Sequence, residues 1–279
     1  MRIVDLHCYP GTPEWIRCQG PYVEALAKYW KREWVGKPED EVVKEFTAAG
    51  VEACLVALDL ETTIKTPPVT NEYVHAMWKR HPERIIQCWG ALEPSKKNAL
   101  DEARKAVKQL GFVGFHFHPI MQHFAVDDRR YYPLFELISS LGAAVMIDVG
   151  TTGMGAGMPG GMGARIRHAH PSAIDDLAAD FPDLKIIMAH PGWPWVDETT
   201  AVALHKGNVY WEMSGWAPKY LPAQLKVDIR SRLQDKVMFG SDYPSIPYPR
   251  LFKEWAEMGY SDAFLEKFFH GNAERILGL

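Results

Sequence analysis

Cysteine is scarce in this chain: Cys8, Cys18, Cys54 and Cys88 are spread over 279 residues with no C-x-x-C pair. That spacing excludes a zinc knuckle and a disulfide framework, and it suits a reducing compartment. No apolar run is long enough for a membrane span or a signal peptide, and the opening MRIVDLHCYP carries charge at Arg2 and Asp5. A cytoplasmic protein with no membrane partner is expected. Dense Lys/Arg clusters are also missing, and the net charge is −4, so nucleic acid has no electrostatic footprint here. No linker-like stretch divides the chain into two cores. A small-molecule partner is left as the default.

What the chain does contain is alternation. Short apolar runs near 2–8, 51–58, 85–91, 112–118, 143–149, 184–190, 208–213 and 236–242 read as buried strands. Helical patterns lie near 39–49, 71–81, 97–110, 132–141, 172–181, 197–206, 221–234 and 249–257. Pro38 is placed to start the first helix, Gly50 and Gly111 to end two of them, and SAID at 172–175 resembles a capping box with Asp in place of Glu. Eight strands, each followed by a helix, favour a parallel sheet, and eight such units close a (β/α)₈ barrel at this length. An open doubly wound sheet is the alternative. The expected fold is a single α/β TIM-barrel domain over 1–279, with 261–279 forming a short C-terminal helical extension.

Two connections exceed simple turns, and in a barrel the long loops after strands build the mouth. Residues 9–38 carry Trp15, Tyr22, Tyr29, Trp30 and Trp34, and residues 150–171 hold seven glycines and three methionines before a basic end. The G-x-G-x-x-G at Gly155, Gly157 and Gly160 opens no helix directly, so a dinucleotide site is discounted. Methionine and aromatic side chains in both loops suit an apolar or aromatic ligand, or ordinary core packing.

The stretch KVMFGSDYP at 236–244 shows how the polar residues are placed. Its apolar run stops at Asp242, where the strand leaves the core. The carboxylate there is either a turn aspartate or the partner of a cation. Period-two alternation puts Ile3, Asp5, His7 and Tyr9 on one face of the first strand, and Gly114, His116 and His118 on one face of the fourth. Asp148 shares a face with Ala144 and Met146, Glu212 shares one with Tyr210, and His190 ends the sixth strand. With the apolar faces turned to the helices, imidazoles and carboxylates gather at the carboxyl ends of the strands. Each alone has a plain role as a hydrogen-bonded rim group. Together, histidine nitrogens and carboxylate oxygens are a ligand set for Zn²⁺, Mn²⁺ or Fe²⁺.

DLH at 5–7, HPERI at 81–85, GFVGFHFHP at 111–119, AHPGWPW at 189–195, MFGSDYP at 238–244 and GNAERILGL at 271–279 resemble the amidohydrolase-related branch of the amidohydrolase superfamily, nearly end to end and in order. The resemblance implies a (β/α)₈ barrel with a divalent metal. It also implies hydrolysis or nonoxidative decarboxylation of aromatic or unsaturated acids, with a few hydratases. By the same resemblance, His7 takes the place of the first histidine of a first-strand H-x-H and is a metal ligand. Asp242 is ligand and proton shuttle, and His190 is the sixth-strand histidine that polarises substrate or assists the metal. Two positions depart from the pattern: Tyr9 stands where the second histidine is usual, and Asp148 where a fifth-strand histidine ligand is expected. His116 occupies a place where lysine is common. An oxygen ligand at Asp148 favours a harder metal than an all-histidine site. Barrels of this branch are often dimers or larger, so a homo-oligomer is an expectation.

The leading functional expectation is a metal-dependent hydrolase of a small aromatic or carboxylated substrate, cleaving an ester, a lactone or a C–C bond next to a carbonyl. One divalent ion, Zn²⁺ ahead of Mn²⁺ or Fe²⁺, would be held by His7, Asp148 and Asp242 with His190, and would activate water. Asp242 would move the proton. Tyr9, His116 and His118 would orient the substrate, Trp193 and Trp216 would wall it, and Arg165 would take a carboxylate. The alternative use of the same residues is nonoxidative decarboxylation, with Asp242 protonating the ring carbon. A third expectation, prompted by Tyr9 and Asp148, is a metal-free barrel that binds a ligand without catalysis.

Overall fold

The apolar runs form eight strands in a computed structural model that describes residues 1–279: β1 Val4–Cys8, β2 Glu52–Val56, β3 Ile85–Ala91, β4 Gly114–Phe117, β5 Ala144–Asp148, β6 Ile186–Ala189, β7 Val209–Glu212 and β8 Val237–Met238. Neighbouring strands are parallel, and the sheet runs in sequence order from β1 to β8. Backbone bonds join its two ends: Leu6 N donates to Phe239 O at 3.2 Å, Tyr9 N to Tyr243 O at 3.0 Å and Tyr243 N to His7 O at 3.3 Å. The sheet is therefore a nearly closed (β/α)₈ barrel, with β1 beside β8 rather than at the centre of an open sheet.

Helices α1 Pro13–Gln19, α2 Tyr22–Trp30 and α3 Glu39–Ala49 follow β1, and α4 Glu61–Ile64 and α5 Asn71–Arg80 follow β2. Next come α6 Ala99–Lys108 after β3, α7 Pro119–Gln122 and α8 Tyr132–Ser140 after β4, and α9 Pro171–Asp180 after β5. The order ends with α10 Val196–His205, α11 Ala223–Ile229, α12 Tyr248–Ala256, α13 Asp262–Glu266 and α14 Asn272–Leu277. Strand alternation sorts the side chains as expected. In β4, Phe117 packs outward on Phe135 of α8 with ring centres 5.6 Å apart, while His116 beside it turns into the barrel. One contiguous apolar cluster runs from β1 to α14. No helix is long and apolar enough to cross a membrane.

Three local expectations change. Residues 9–38 contain α1 and α2 rather than an unstructured connection. The expected capping box at 172–175 does not form: Pro171 takes the first helical position and His170 caps α9, its Nδ1 accepting from Ser172 N at 3.2 Å. Proline lacks an N–H, and the first helical position is where that loss is cheapest. The eighth strand ends at Met238, well short of 242, because the C-terminal extension takes over its backbone groups. Phe239 N donates to Phe268 O at 2.9 Å, and Asn272 Nδ2 to Val237 O at 2.8 Å.

Candidate active site

Closure of the barrel brings the first and last strands together, and with them His7 and Asp242. His7 is fully buried. Its Nδ1 lies 2.9 Å from Glu212 Oε1, while its Nε2 has no hydrogen-bond partner and stands 3.9 Å from Asp242 Oδ1. Burial, with His116 and His190 close by, lowers the imidazole pKa to about 3, so His7 is neutral near pH 7 and keeps a free lone pair.

Asp148, at the end of β5, is the focus of three imidazoles. His116 Nε2 is 2.9 Å and His190 Nε2 3.6 Å from its Oδ1, and His118 Nε2 is 3.2 Å from its Oδ2. Burial works against the charge, but His118, His116 and His190 outweigh it and hold the carboxyl well below the usual carboxylate range. His118 opens α7, where its Nδ1 accepts from Met121 N at 3.3 Å. Its ring proton therefore sits on Nε2, which lies 3.4 Å from Thr152 Oγ1 and 3.2 Å from Asp148 Oδ2.

His190 and Asp242 leave their strands in the left-handed region, at φ 70° and 56°. Such a backbone costs on the order of 1–3 kcal/mol for a residue other than glycine, and it aims both side chains over the barrel mouth. Trp211 Nε1 donates to His190 O at 2.6 Å and holds that turn. Burial alone would lower the His190 pKa, yet Asp148, Asp242 and Glu212 raise it to about 10. Its contribution to stability is thus complete below pH 6.5 and is lost as pH rises towards about 10. In chelator-treated protein we expect unfolding free energy to fall across roughly pH 7–9, with a slope approaching one proton, about 1.4 kcal/mol per pH unit. Urea titrations should show that slope flattened in His190→Asn, and an unchanged slope would contradict the assignment. Asp242 moves the other way from most surface acids: burial pushes it up to about 6, with His190 and His7 pulling back.

The remaining expected residues divide. The Tyr9 ring is 5.3 Å from that of His7 and 6.0 Å from that of His116, and Trp15 and then Trp34 continue the aromatic wall. Trp193, 50% exposed, tilts against Trp216 at 6.0 Å between ring centres on the rim. Arg165 is exposed and stands outside the buried cluster. Asp5 does not share the His7 environment, contrary to the alternation pattern. The β1–β2 register slips between Asp5 and Cys8, and the Asp5 carboxylate accepts from Ser241 N at 2.9 Å and Tyr248 OH at 2.8 Å. It ties β1 to the turn that carries Asp242.

Sequence reasoning left Glu212 without a role and passed over Ser214. The available signal was EMSG at 212–215, directly after a buried strand, where polar groups require partners. The indole N–H groups of Trp15 and Trp34 were also unforeseen: both are buried without acceptors.

The donor set fits a divalent cation. The 3.9 Å between His7 Nε2 and Asp242 Oδ1 is within the span of two metal–ligand bonds of about 2.0–2.1 Å, slightly wider than a regular tetrahedral pair, and His7 Nε2 has no other partner. His7, His116 and Asp148 also present ligand atoms within 4.8 Å of one another. Such a cluster at the carboxyl mouth defines a class: (β/α)₈ barrels built to hold a cation against a small substrate. The chain belongs to the amidohydrolase family, whose model matches residues 22–279.

Solved structures agree on the fold. An uncharacterized TIM-barrel protein from Bordetella bronchiseptica is 25% identical with a TM-score of 0.80, covering 100% of this chain and 99% of its own. A dihydroxybenzoic acid decarboxylase from Polaromonas, with bound manganese and the inhibitor 2-nitroresorcinol, is 17% identical at TM-score 0.73, covering 100% and 97%. A probable 2-pyrone-4,6-dicarboxylic acid hydrolase from Acinetobacter baumannii, with citric acid bound, is 12% identical at 0.68, covering 100% of both chains. A search of curated proteins by sequence returns no match.

Proposed function

We propose that the protein is a metal-dependent hydrolase of a small aromatic or carboxylated substrate, opening an ester, a lactone or a C–C bond next to a carbonyl. The observation that carries this reading is the bare, buried His7 Nε2 facing Asp242 across 3.9 Å. His7, Asp148 and Asp242 would hold the cation, with the protonated His190 beside it rather than bonded to it; the mixed nitrogen and oxygen set suits Zn²⁺, with Mn²⁺ as the harder competitor that two carboxylates also favour. A divalent ion bound there supplies Lewis acidity and lowers the pKa of water.

The chain's own residues do the rest. Asp242, at the mouth beside His7, accepts a proton from the attacking water and returns it to the leaving group. His190, protonated near neutrality, donates a hydrogen bond to the substrate carbonyl, and its charge is balanced by Asp148. His116 and His118 keep Asp148 ionised. The Tyr9 hydroxyl and the acceptor-free N–H groups of Trp15 and Trp34 support a substrate rich in oxygen acceptors. Trp193 and Trp216 supply an apolar wall at the rim. Arg165, which makes no ion pair, is available to a substrate carboxylate.

One observation favours decarboxylation as the second reading: Asp242 lies at the mouth 3.9 Å from His7 Nε2, where a carboxyl can serve as the acid that protonates a carbanion. Turnover of aryl esters, pyrone lactones and hydroxybenzoates in ¹⁸O-labelled water separates the two. We expect ¹⁸O in the acid product and no carbon dioxide. Carbon dioxide release without ¹⁸O uptake would overturn the hydrolase reading in favour of the second.

A further inference from the structure

The two histidines that face Asp242 share a single anchor on the side away from it. His7 Nδ1 is 2.9 Å from Glu212 Oε1, and Ser214 Oγ donates to that same oxygen at 2.7 Å. Ser214 Oγ in turn stands 2.9 Å from His190 Nδ1. All four side chains are buried or nearly so, with Glu212 fully buried.

Counting protons gives this chain one direction. A serine hydroxyl has one proton, and here it is given to Glu212 Oε1. Toward His190, Ser214 can then only accept, so His190 Nδ1 must carry a proton. Glu212 Oε1 is an acceptor, so His7 Nδ1 must carry one as well. The order is His190 Nδ1–H to Ser214 Oγ, Ser214 Oγ–H to Glu212 Oε1, and His7 Nδ1–H to Glu212 Oε1. Each imidazole is left with Nε2 turned to the barrel mouth, and on neutral His7 that atom is the bare lone pair already described.

Two glycines keep room for the chain. A Cβ at Gly215, which has φ 71°, would lie 2.6 Å from His190 Nδ1, and a Cβ at Gly240 would overlap Glu212 Oε2. Neither position tolerates a side chain without breaking these bonds.

We infer that Glu212 and Ser214 are positioning residues: Glu212 fixes neutral His7 in the Nδ1–H tautomer with a bare Nε2 towards the cation, and Ser214 holds the His190 ring by its Nδ1–H so that its Nε2–H points to the substrate. This inference rests on the reading of His7 as a metal ligand. A buried carboxylate behind a ligating imidazole sets ring orientation and raises ligand basicity, and losing it weakens metal binding about 10–100-fold.

The test measures Mn²⁺ affinity by calorimetry in wild type, Glu212→Leu, Glu212→Gln and Ser214→Ala, alongside ¹⁵N-histidine spectra of the metal-free proteins. Glu212→Leu should bind Mn²⁺ about 10–100-fold more weakly. Glu212→Gln, whose amide oxygen can still accept from His7, should recover most of the loss, which a merely structural role would not predict. The wild-type spectra should place the His7 proton on Nδ1 and show His190 with both nitrogens protonated, and Ser214→Ala should shift the His190 Nδ1 resonance as its hydrogen-bond acceptor is lost. A folded Glu212→Leu protein with wild-type affinity would overturn the inference. So would a wild-type His7 spectrum with the proton on Nε2. Should Glu212→Leu fail to fold, the Ser214→Ala spectrum decides, and an unchanged His190 Nδ1 resonance there overturns the inference. A wild-type protein that binds no Mn²⁺ at all defeats the ligand reading instead, while the tautomer spectra still decide the positioning role.

Discussion

Replacing Asp242 by asparagine should lower kcat by about 10²–10⁴-fold while leaving the fold intact, because it removes the carboxylate at the mouth that moves the reacting proton. Asparagine is the informative substitution. Asp242 sits at φ 56°, a conformation that asparagine tolerates nearly as well as aspartate, so the backbone turn survives and only proton transfer and ligand charge change. Alanine would add a backbone penalty to the chemical one. The measurement is kcat and KM under metal-replete conditions, with thermal unfolding as the control. A variant that keeps its Tm and turns over within tenfold of wild type would remove Asp242 from the chemistry.

Asp148→Ala should have the largest effect on stability. Its carboxylate is the anion on which His116, His118 and His190 converge at 2.9, 3.2 and 3.6 Å. Removing one partner of a buried charged network costs about 3–5 kcal/mol, because the groups left behind lose both their counter-charge and their acceptor. For a chain of this size that corresponds to a fall in Tm of roughly 10 °C. Cation binding should be lost with it. Asp148→Asn keeps the shape and one acceptor oxygen, so it should restore part of the stability but not the affinity for the ion. Differential scanning calorimetry with and without Mn²⁺ reads both. Equal Tm values in wild type and Asp148→Ala would show that the imidazoles do not depend on this carboxylate.

Much of the architecture was legible because strand and helix periods differ and the chain keeps to them. Each apolar run between helices became a barrel strand, and the polar residues His7, His116, Asp148, His190, Glu212 and Asp242 at or just past the ends of six of them marked the mouth. His116 between Phe115 and Phe117 is the plainest case, since alternation alone turns it away from α8. Legibility failed where a contact joins distant parts of the chain. Asp5 looked equivalent to His7, but the irregular β1–β2 register and the hydroxyl of Tyr248 captured it. Glu212 and His7 are 205 residues apart, and only closure of the barrel shows that one supports the other. Helices α1 and α2 were missed because their caps carry no familiar signal. The first helix has Thr12 at its start without a side-chain bond, and the second ends at Lys31 rather than at a glycine.

The proposed chemistry requires a histidine and an aspartate 235 positions apart in sequence and 3.9 Å apart in space to share one ion. Anomalous diffraction from crystals soaked in Mn²⁺ tests this most directly. We expect one strong peak between His7 Nε2 and Asp242 Oδ1, at bonding distance from both, with Asp148 in reach. A Mn²⁺-saturated crystal with no peak at the barrel mouth, or with the ion held away from His7, would contradict it.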